Sequence, residues 1–558
     1  MSIRHRVHRV VYLPLDDRPC NSKHVQMLAR MVDYELMIPP MELLGRYTKP
    51  GDPEALTNWL LNDVTGDIDC VVLSLDMLAY GGLVASRATD VRTELALKRM
   101  DVLSKISEKF PEAPVFASNI IMRLSITADS DKAAVNWQML RDYSELQGRV
   151  EAHGDDEDRR HLEKLEETIP ASLLGKYRAC RDRNHQVNLR AIEETARGNI
   201  DFLVLGQEDA AEYGPHVKEQ DELKKVIGRH GLSDRILIYP GADEIGQTLL
   251  ARFVHQHMQK VPRAYIMYAN PDDAENVATF EDRPFTETLR GHMKTVGVEF
   301  ADSAAQADFV LAINPPADGM RDDYSDGKKA QKRQKQASDF AARITDAEHD
   351  RRVALCDVAF ANGAEECFVE ALIGADIRLP GLLSFSAWNT AGNSVGSALA
   401  QSSLRLIALQ DKGAFDLANI LVDLQPMRYL QLLDTLIDSE KAHVHLLLCH
   451  LADDWLYQTR VRPAVTDTVV NMLEASIFDL ADSRQRVQHM VSDQLVNAVA
   501  DLYTSHFLGE ESVQIGSGDN TSGLALAELE ETRVSLPWDR LFEVDLDFNF
   551  GIELVART

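Results

Sequence analysis

Cysteine is scarce in this chain of 558 residues: there are six, and none stands in a paired spacing. That excludes a CxxC zinc knuckle and a disulfide framework. Cys20, Cys70, Cys180, Cys356, Cys367 and Cys449 read instead as reduced thiols, mostly in apolar segments. Long apolar runs are missing too. No stretch of about 18 apolar residues occurs, which argues against a bilayer span. The N-terminal run in MSIRHRVHRVVYLPLDDRP is short and broken by Pro14 and Asp16, so no secretory signal is expected. The expected location is cytoplasmic. Positive charge is the third shortage. Lys and Arg number 59 against 88 Asp and Glu, a net charge of −29, and such a field repels polyanions. Nucleic acid and anionic membrane surfaces are therefore not expected as partners.

Catalytic signatures are thin as well. No GxGxxG follows a strand, and GxxxxGKS/T and HExxH do not occur, so nucleotide and zincin chemistry lack their usual carriers. A nucleophilic serine is not expected, because no histidine has an obvious partner. His443, His445 and His450 are spaced by two and five residues, which puts them on different helix faces. They read as ordinary histidines rather than ligands.

What remains is an ordinary globular composition, 45% hydrophobic and 26% charged, with enough chain for three or four domains. Over the first 410 or so positions a pattern recurs in which a short apolar run stops at polar residues and an amphipathic stretch follows. That pattern predicts a parallel α/β sheet. The predicted strands are VVYLPL, YELMIPP, CVVLSL, VFASNIIM, FLVLG, ILIYPG, AYIMYA, FVLAIN, VALCDVA and LLSFSAW. Ten strands are two too many for an eight-fold barrel. The expectation is two α/β lobes, 1–260 and 261–412, with an irregular (β/α)8 barrel as the alternative. A polar helical insertion at about 129–198 is placed to cap a cleft. A mainly helical region, 413–558, ends in a strand in which Phe542, Val544, Leu546, Phe548 and Phe550 alternate with polar residues. QIGSGDNTSG reads as a loop before that strand. Lys328, Lys329, Lys332, Arg333 and Lys335 read as a solvated helix face.

In such folds ligands lie outside the carboxyl ends of the strands, and here those positions are rich in acids and amides. Asp16, Asp17 and Arg18 follow the first strand; only one of the two aspartates is expected to face the cleft. Asp76 follows the third strand and Arg123 the fourth. Gln207, Glu208 and Asp209 follow the fifth, with His216 behind them, and Asp243 and Glu244 follow the sixth. Three strand ends each offering a carboxylate pair exceed what caps need, although capping by Asn21 or Ser22 after the first strand and by Asp243 after the sixth stays open. Unequally buried carboxyls can keep one protonated and one ionised near neutral pH. Trp388, Asn389, Thr390 and Asn393 open a helix, where the amides suit hydroxyls and the indole suits a sugar ring.

LPLDDRPCN, LSLDMLAYGGLVASR, GQEDAAEYGPH, GADEIGQTLLAR and WNTAGNSVGSALA, together with the closing LPWDRLFEVDLDFNF, resemble a bacterial family known only as a domain of unknown function. The resemblance spans nearly the whole chain and implies that these motifs share one site. It brings no activity with it. The expected function is a carbohydrate-active hydrolase of the glycoside hydrolase kind acting on a small saccharide without a cofactor, with Asp16, Asp17, Glu208, Asp209, Asp243 and Glu244 as candidate acid, base or nucleophile. Arg18, Asp76, Arg123, Gln207, His216, Trp388, Asn389, Thr390 and Asn393 are candidate substrate contacts. Two alternatives stand beside it. One is a sugar isomerase or lyase using Mg or Mn on Asp17, Asp209, Asp243, Glu244 or His216, and the other is a non-catalytic sugar-binding protein. A homo-oligomer is left open.

Overall fold

The computed structural model describes residues 7–88, 91–319, 321, 327–350, 352–413, 426–515 and 522–556. All ten predicted apolar runs form strands. β1 (His8–Leu13), β2 (Tyr34–Met37), β3 (Cys70–Ser74), β4 (Val115–Ile121), β5 (Phe202–Gln207) and β6 (Ile236–Pro240) make one parallel sheet in the order β2-β1-β3-β4-β5-β6. β7 (Arg263–Tyr268), β8 (Glu299–Phe300), β9 (Phe309–Asn314), β10 (Val353–Asp357) and β11 (Ser384–Ser386) make a second parallel sheet, ordered β8-β7-β9-β10-β11. The sheets are open and separate, so the architecture is two parallel α/β sheets rather than one closed barrel.

These runs are continuously apolar because each sheet is covered on both faces. Pleating sends alternate side chains to opposite sides. Val10 and Tyr12 of β1 enter one core while Val11 and Leu13 enter another. In β9, Leu311 and Ile313 face one way, and Val310 and Ala312 the other. Helices α1 (Lys23–Met31), α5 (Ile245–His257), α6 (Phe285–Val296) and α7 (Ala391–Gly413) lie between the sheets, and their Leu28, Leu249, Leu289 and Val395 share a single core with both. Each such side chain stabilises by about 1.5–3 kcal/mol when fully buried. The layer therefore fixes the two sheets against each other.

The insertion after β4 is three helices, α2 (Asp131–His153), α3 (Asp156–Thr168) and α4 (Ala171–Arg197). After α7 come helices at Pro426–His450 and Arg484–His506, then a three-stranded antiparallel sheet of β12 (Glu511–Ile515), β13 (Ser522–Ser535) and β14 (Asp545–Ala556). Only the last of these strands carries an apolar alternation strong enough to be read from sequence. Asp545 opens β14, which leaves Phe542 and Glu543 in the turn before it. The middle of the expected loop QIGSGDNTSG and positions 414–425 of the expected helical region lie outside the described residues. Arg333 departs from the solvated face: it is buried and donates to Glu365 (2.8 Å), which also accepts from Asn314 (2.9 Å). His443 and His450 bond the carbonyls of Leu382 and Phe385 (3.0 and 2.6 Å), pinning the long helix to β11. No helix among the described residues is long and apolar enough to cross a membrane.

Candidate functional site

A buried arginine organises the carboxyl edge of the first sheet. Arg18 lies in the turn after β1, 4% exposed, and donates Nη2 to Asp16 Oδ2 (2.7 Å) and to Asp243 Oδ1 (2.5 Å). Its Nε donates to both Asp16 oxygens (3.1 and 3.0 Å), and Glu543 stands 3.8 Å from Nη1. Asn21 Nδ2 donates to Asp16 (2.9 Å) and Asp243 (3.3 Å), and Asn389 donates to the other Asp243 oxygen (3.4 Å). Asp16 and Asp243 hold the same guanidinium nitrogen, so the bonded oxygens are no more than about two hydrogen-bond lengths apart.

Three strands stand between β1 and β6 in the sheet, yet their loops meet because α5 runs back across the sheet's face. Gln247 donates to the Cys20 carbonyl (3.1 Å), and a Cβ on Gly246 would lie 2.2 Å from the Tyr12 hydroxyl oxygen. Only glycine fits that crossing. The helix starts at Ile245 with Glu244 at its cap position and no side-chain cap bond. Asp243 is thus not the capping residue that its position suggested.

Burial pushes the Asp243 carboxyl up to about 6, Arg18 opposing and the charges of Asp16, Glu208 and Glu244 assisting. Asp17 is likewise pushed up to about 6, by burial and by the neighbouring Asp16 charge. Its partner is different: Asp17 accepts from Trp538 Nε1 (2.8 Å), as the opposite directions of adjacent residues require. Burial disfavours the Arg18 cation, but Asp16 and Asp243 more than reverse that and hold it charged.

Over this cluster lies the segment that leads into the predicted closing strand, and it contributes residues outside the candidate set. The Arg18 guanidinium sits 4.8 Å from the Trp538 ring centre and 5.9 Å from that of Trp388. Tyr47 stacks on Trp538 at 5.0 Å, Phe542 meets Trp388 edge-on at 6.2 Å, and Arg540 binds Glu543 while lying 4.7 Å over Trp538. The signal available was the grouping of Trp538, Asp539, Arg540 and Glu543, four residues that an ordinary edge strand does not need.

A second group adjoins the first. Glu208 binds Arg87, with Arg123 3.9 Å away, and Asp209 binds Arg123. Arg123 is pushed down to about 9 by burial, Glu208 opposing. Arg87 also went unforeseen.

The other candidates hold the fold. Glu244 is fully buried, accepting from the Ala242 N–H (2.9 Å) and bonding His292 (2.9 Å), so it is withdrawn as a catalytic group. Asp76 is fully buried and accepts from the Ile120 N–H (2.9 Å), with no opening toward a substrate. Gln207 is tied to Gln220 (3.2 Å) and the Glu208 carbonyl (2.9 Å). His216 is buried 3.6 Å from Asp282, and burial lowers it to about 4. Thr390 caps α7 by accepting from the Asn393 N–H (3.4 Å). Gly392-Asn393-Ser394-Val395-Gly396 spells GxSxG, but Ser394 is buried in the first turn of α7 and donates to the Trp388 carbonyl (2.9 Å), unlike the exposed serine of a nucleophile elbow. The proposed Mg or Mn ligands are engaged apart from one another: Asp209 by Arg123, Glu244 by His292, His216 by Asp282, Asp243 by Arg18 and Asp17 by Trp538.

Asn393 was expected to bind hydroxyls, but its Oδ1 accepts from the backbone of Ala242 (3.3 Å) and Asp243 (3.2 Å). Asn393→Ala is therefore expected to destabilise the protein by about 1–3 kcal/mol, the cost of orphaning buried donors, as read by urea unfolding. An unchanged midpoint would show that those donors are satisfied without it.

No curated protein matches the chain. Two solved structures of the carboxyl transferase domain of Rhizobium etli pyruvate carboxylase, one with 3-bromopyruvate and one with pyruvate, are each 9% identical to it. The first alignment covers 100% of this chain and 88% of the other at a TM-score of 0.18, and the second covers 99% and 89% at 0.17. Scores this low carry no likeness of fold. The family model described as "Protein of unknown function (DUF4127)" matches residues 10–547, from β1 through the Trp538–Glu543 segment, and the chain belongs to that family.

Proposed function

We propose that the protein is a carbohydrate-active hydrolase that uses Asp243 and Asp16 as acid and nucleophile on a glycosidic bond. The observation that carries this reading is the Asp16–Arg18–Asp243 arrangement. Two carboxyls from different strand ends share one guanidinium, and Asp243 is pushed up to about 6. A retaining glycosidase sets its carboxyls ~5–5.5 Å apart, one protonated and one ionised. In this reading Asp243 is the acid. Asp16, which accepts from Arg18 and Asn21, is the nucleophile. The partly buried Trp388 and Asn389 supply ring stacking and hydroxyl contacts. The Arg18 guanidinium fills the place between the two carboxylates that a divalent ion would need in an isomerase or lyase, which favours hydrolysis.

The test is a panel of aryl glycosides with and without chelator. The expected result is hydrolysis that survives chelation and retains anomeric configuration by NMR. In Asp243→Asn, kcat is expected to fall about 10²–10⁴-fold, measured on a variant that circular dichroism shows to be folded, Arg18 keeping Asp16 as its partner. A folded wild type that cleaves no glycoside in the panel, or an Asn variant with undiminished kcat, would overturn the reading.

A further inference from the structure

At the opposite edge of the first sheet, His8 opens β1, Asp69 directly precedes β3, and His257 ends α5. One ligand atom from each lies within 4.8 Å of the other two. We propose that His8, Asp69 and His257 bind a divalent transition metal of the zinc class.

The donor set selects the ion. Two imidazoles and one carboxylate suit zinc, cobalt or nickel, whereas magnesium and calcium call for oxygen ligands. Three protein ligands leave a coordination position for water. The local geometry suits a cation. His8 Nδ1 is buried and makes no hydrogen bond to the described residues, standing 3.6 Å from Asp69 Oδ1, too far for one. Asp69 is held from behind, its Oδ2 accepting from the Arg9 N–H (2.8 Å). The Tyr34 hydroxyl bonds His257 Nδ1 at 2.7 Å, the part an outer-shell partner plays in orienting a ligating histidine. The His8 and His257 rings meet edge to face at 4.4 Å, so the two imidazoles are neighbours. Because β1 and β3 are adjacent parallel strands, their starts hold His8 and Asp69 in fixed register.

The test uses the full chain, stripped with chelator and titrated at neutral pH with zinc chloride by calorimetry and with cobalt chloride by visible absorption. One equivalent of zinc is expected to bind, with a cobalt spectrum distinct from the aquo ion and a melting temperature that rises with zinc. Tyr34→Phe is expected to weaken zinc about 10–100-fold. His257→Ala, which alters an exposed helix end, and Asp69→Asn are expected to abolish one-to-one binding while circular dichroism stays unchanged. The absence of saturable one-to-one binding to wild type, or undiminished affinity in a folded His257→Ala variant, would overturn the proposal. Because this site shares no residue with the Arg18 cluster, its failure and that of the hydrolase reading are separable.

Discussion

Replacing Arg18 by methionine is expected to cost about 3–5 kcal/mol of folding stability, because the change leaves buried charges without their partner. Asp16 and Asp243 are 5% and 4% exposed, and Arg18 is the cation that both contact. Methionine keeps much of the volume and removes all five donors. Asp243, which burial already pushes up to about 6 beside Arg18, would relieve part of the loss by taking up a proton, so the deficit should shrink as the pH falls. Arg18→Lys is expected to fall between the two, since an ammonium cannot reproduce the forked contacts. Urea unfolding at pH 5 and pH 8 measures this. A methionine variant within about 0.5 kcal/mol of wild type, the range of ordinary surface substitutions, would show that the arginine does not hold the cluster.

The second large effect is a pH dependence centred on Asp76. Burial pushes this carboxyl from 3.8 up to about 8, only partly offset by the Ile120 N–H, and its Oδ1 has no hydrogen-bond partner among the described residues. Below about pH 4 the acid is protonated in folded and unfolded chains alike and contributes no pH dependence. Between about 4 and 8 the unfolded chain has released its proton and the folded one has not. Stability therefore falls as pH rises, by up to about 1.4 kcal/mol per unit. Above about 8 the full cost of several kcal/mol persists. Asp76→Asn keeps an acceptor for Ile120 and cannot ionise, so its stability should exceed wild type at pH 8 and converge toward it near pH 4. Denaturation midpoints of the two proteins across pH 5–8 decide the matter. Parallel curves would mean that Asp76 does not titrate there.

The strands were legible because a strand buried on both faces must be continuously apolar, as CVVLS and FVLAIN are, and such a run cannot hide. That the Arg18 cluster gathers at the carboxyl edge followed from strand direction alone. Which strand ends meet did not follow, because contact between the loops after β1 and β6 depends on the path of α5 over the sheet. Glu244 and Asp243 looked equivalent as neighbours in sequence, yet one faces His292 and the other Arg18. Asn393 and Asn389 were likewise indistinguishable until one proved to hold backbone and the other a carboxylate. Trp538 and Glu543 escaped because the alternation beginning at Phe542 pointed to a strand, and the turn before β14 gave no periodic signal of its own.

The bond from Trp538 to Asp17 joins positions 521 residues apart, and Lys23 reaches Asp545 across 522. During synthesis the first strand leaves the ribosome long before the indole that covers it. At ~5–20 residues per second the interval is roughly half a minute to two minutes. Throughout that time the Asp16–Arg18 turn waits without its aromatic cover and without Glu543. A nascent chain can therefore order its first sheet early and still lack the contacts that close the site, because the second sheet shares its core with Leu541, Val544 and Leu546 from the last part of the chain.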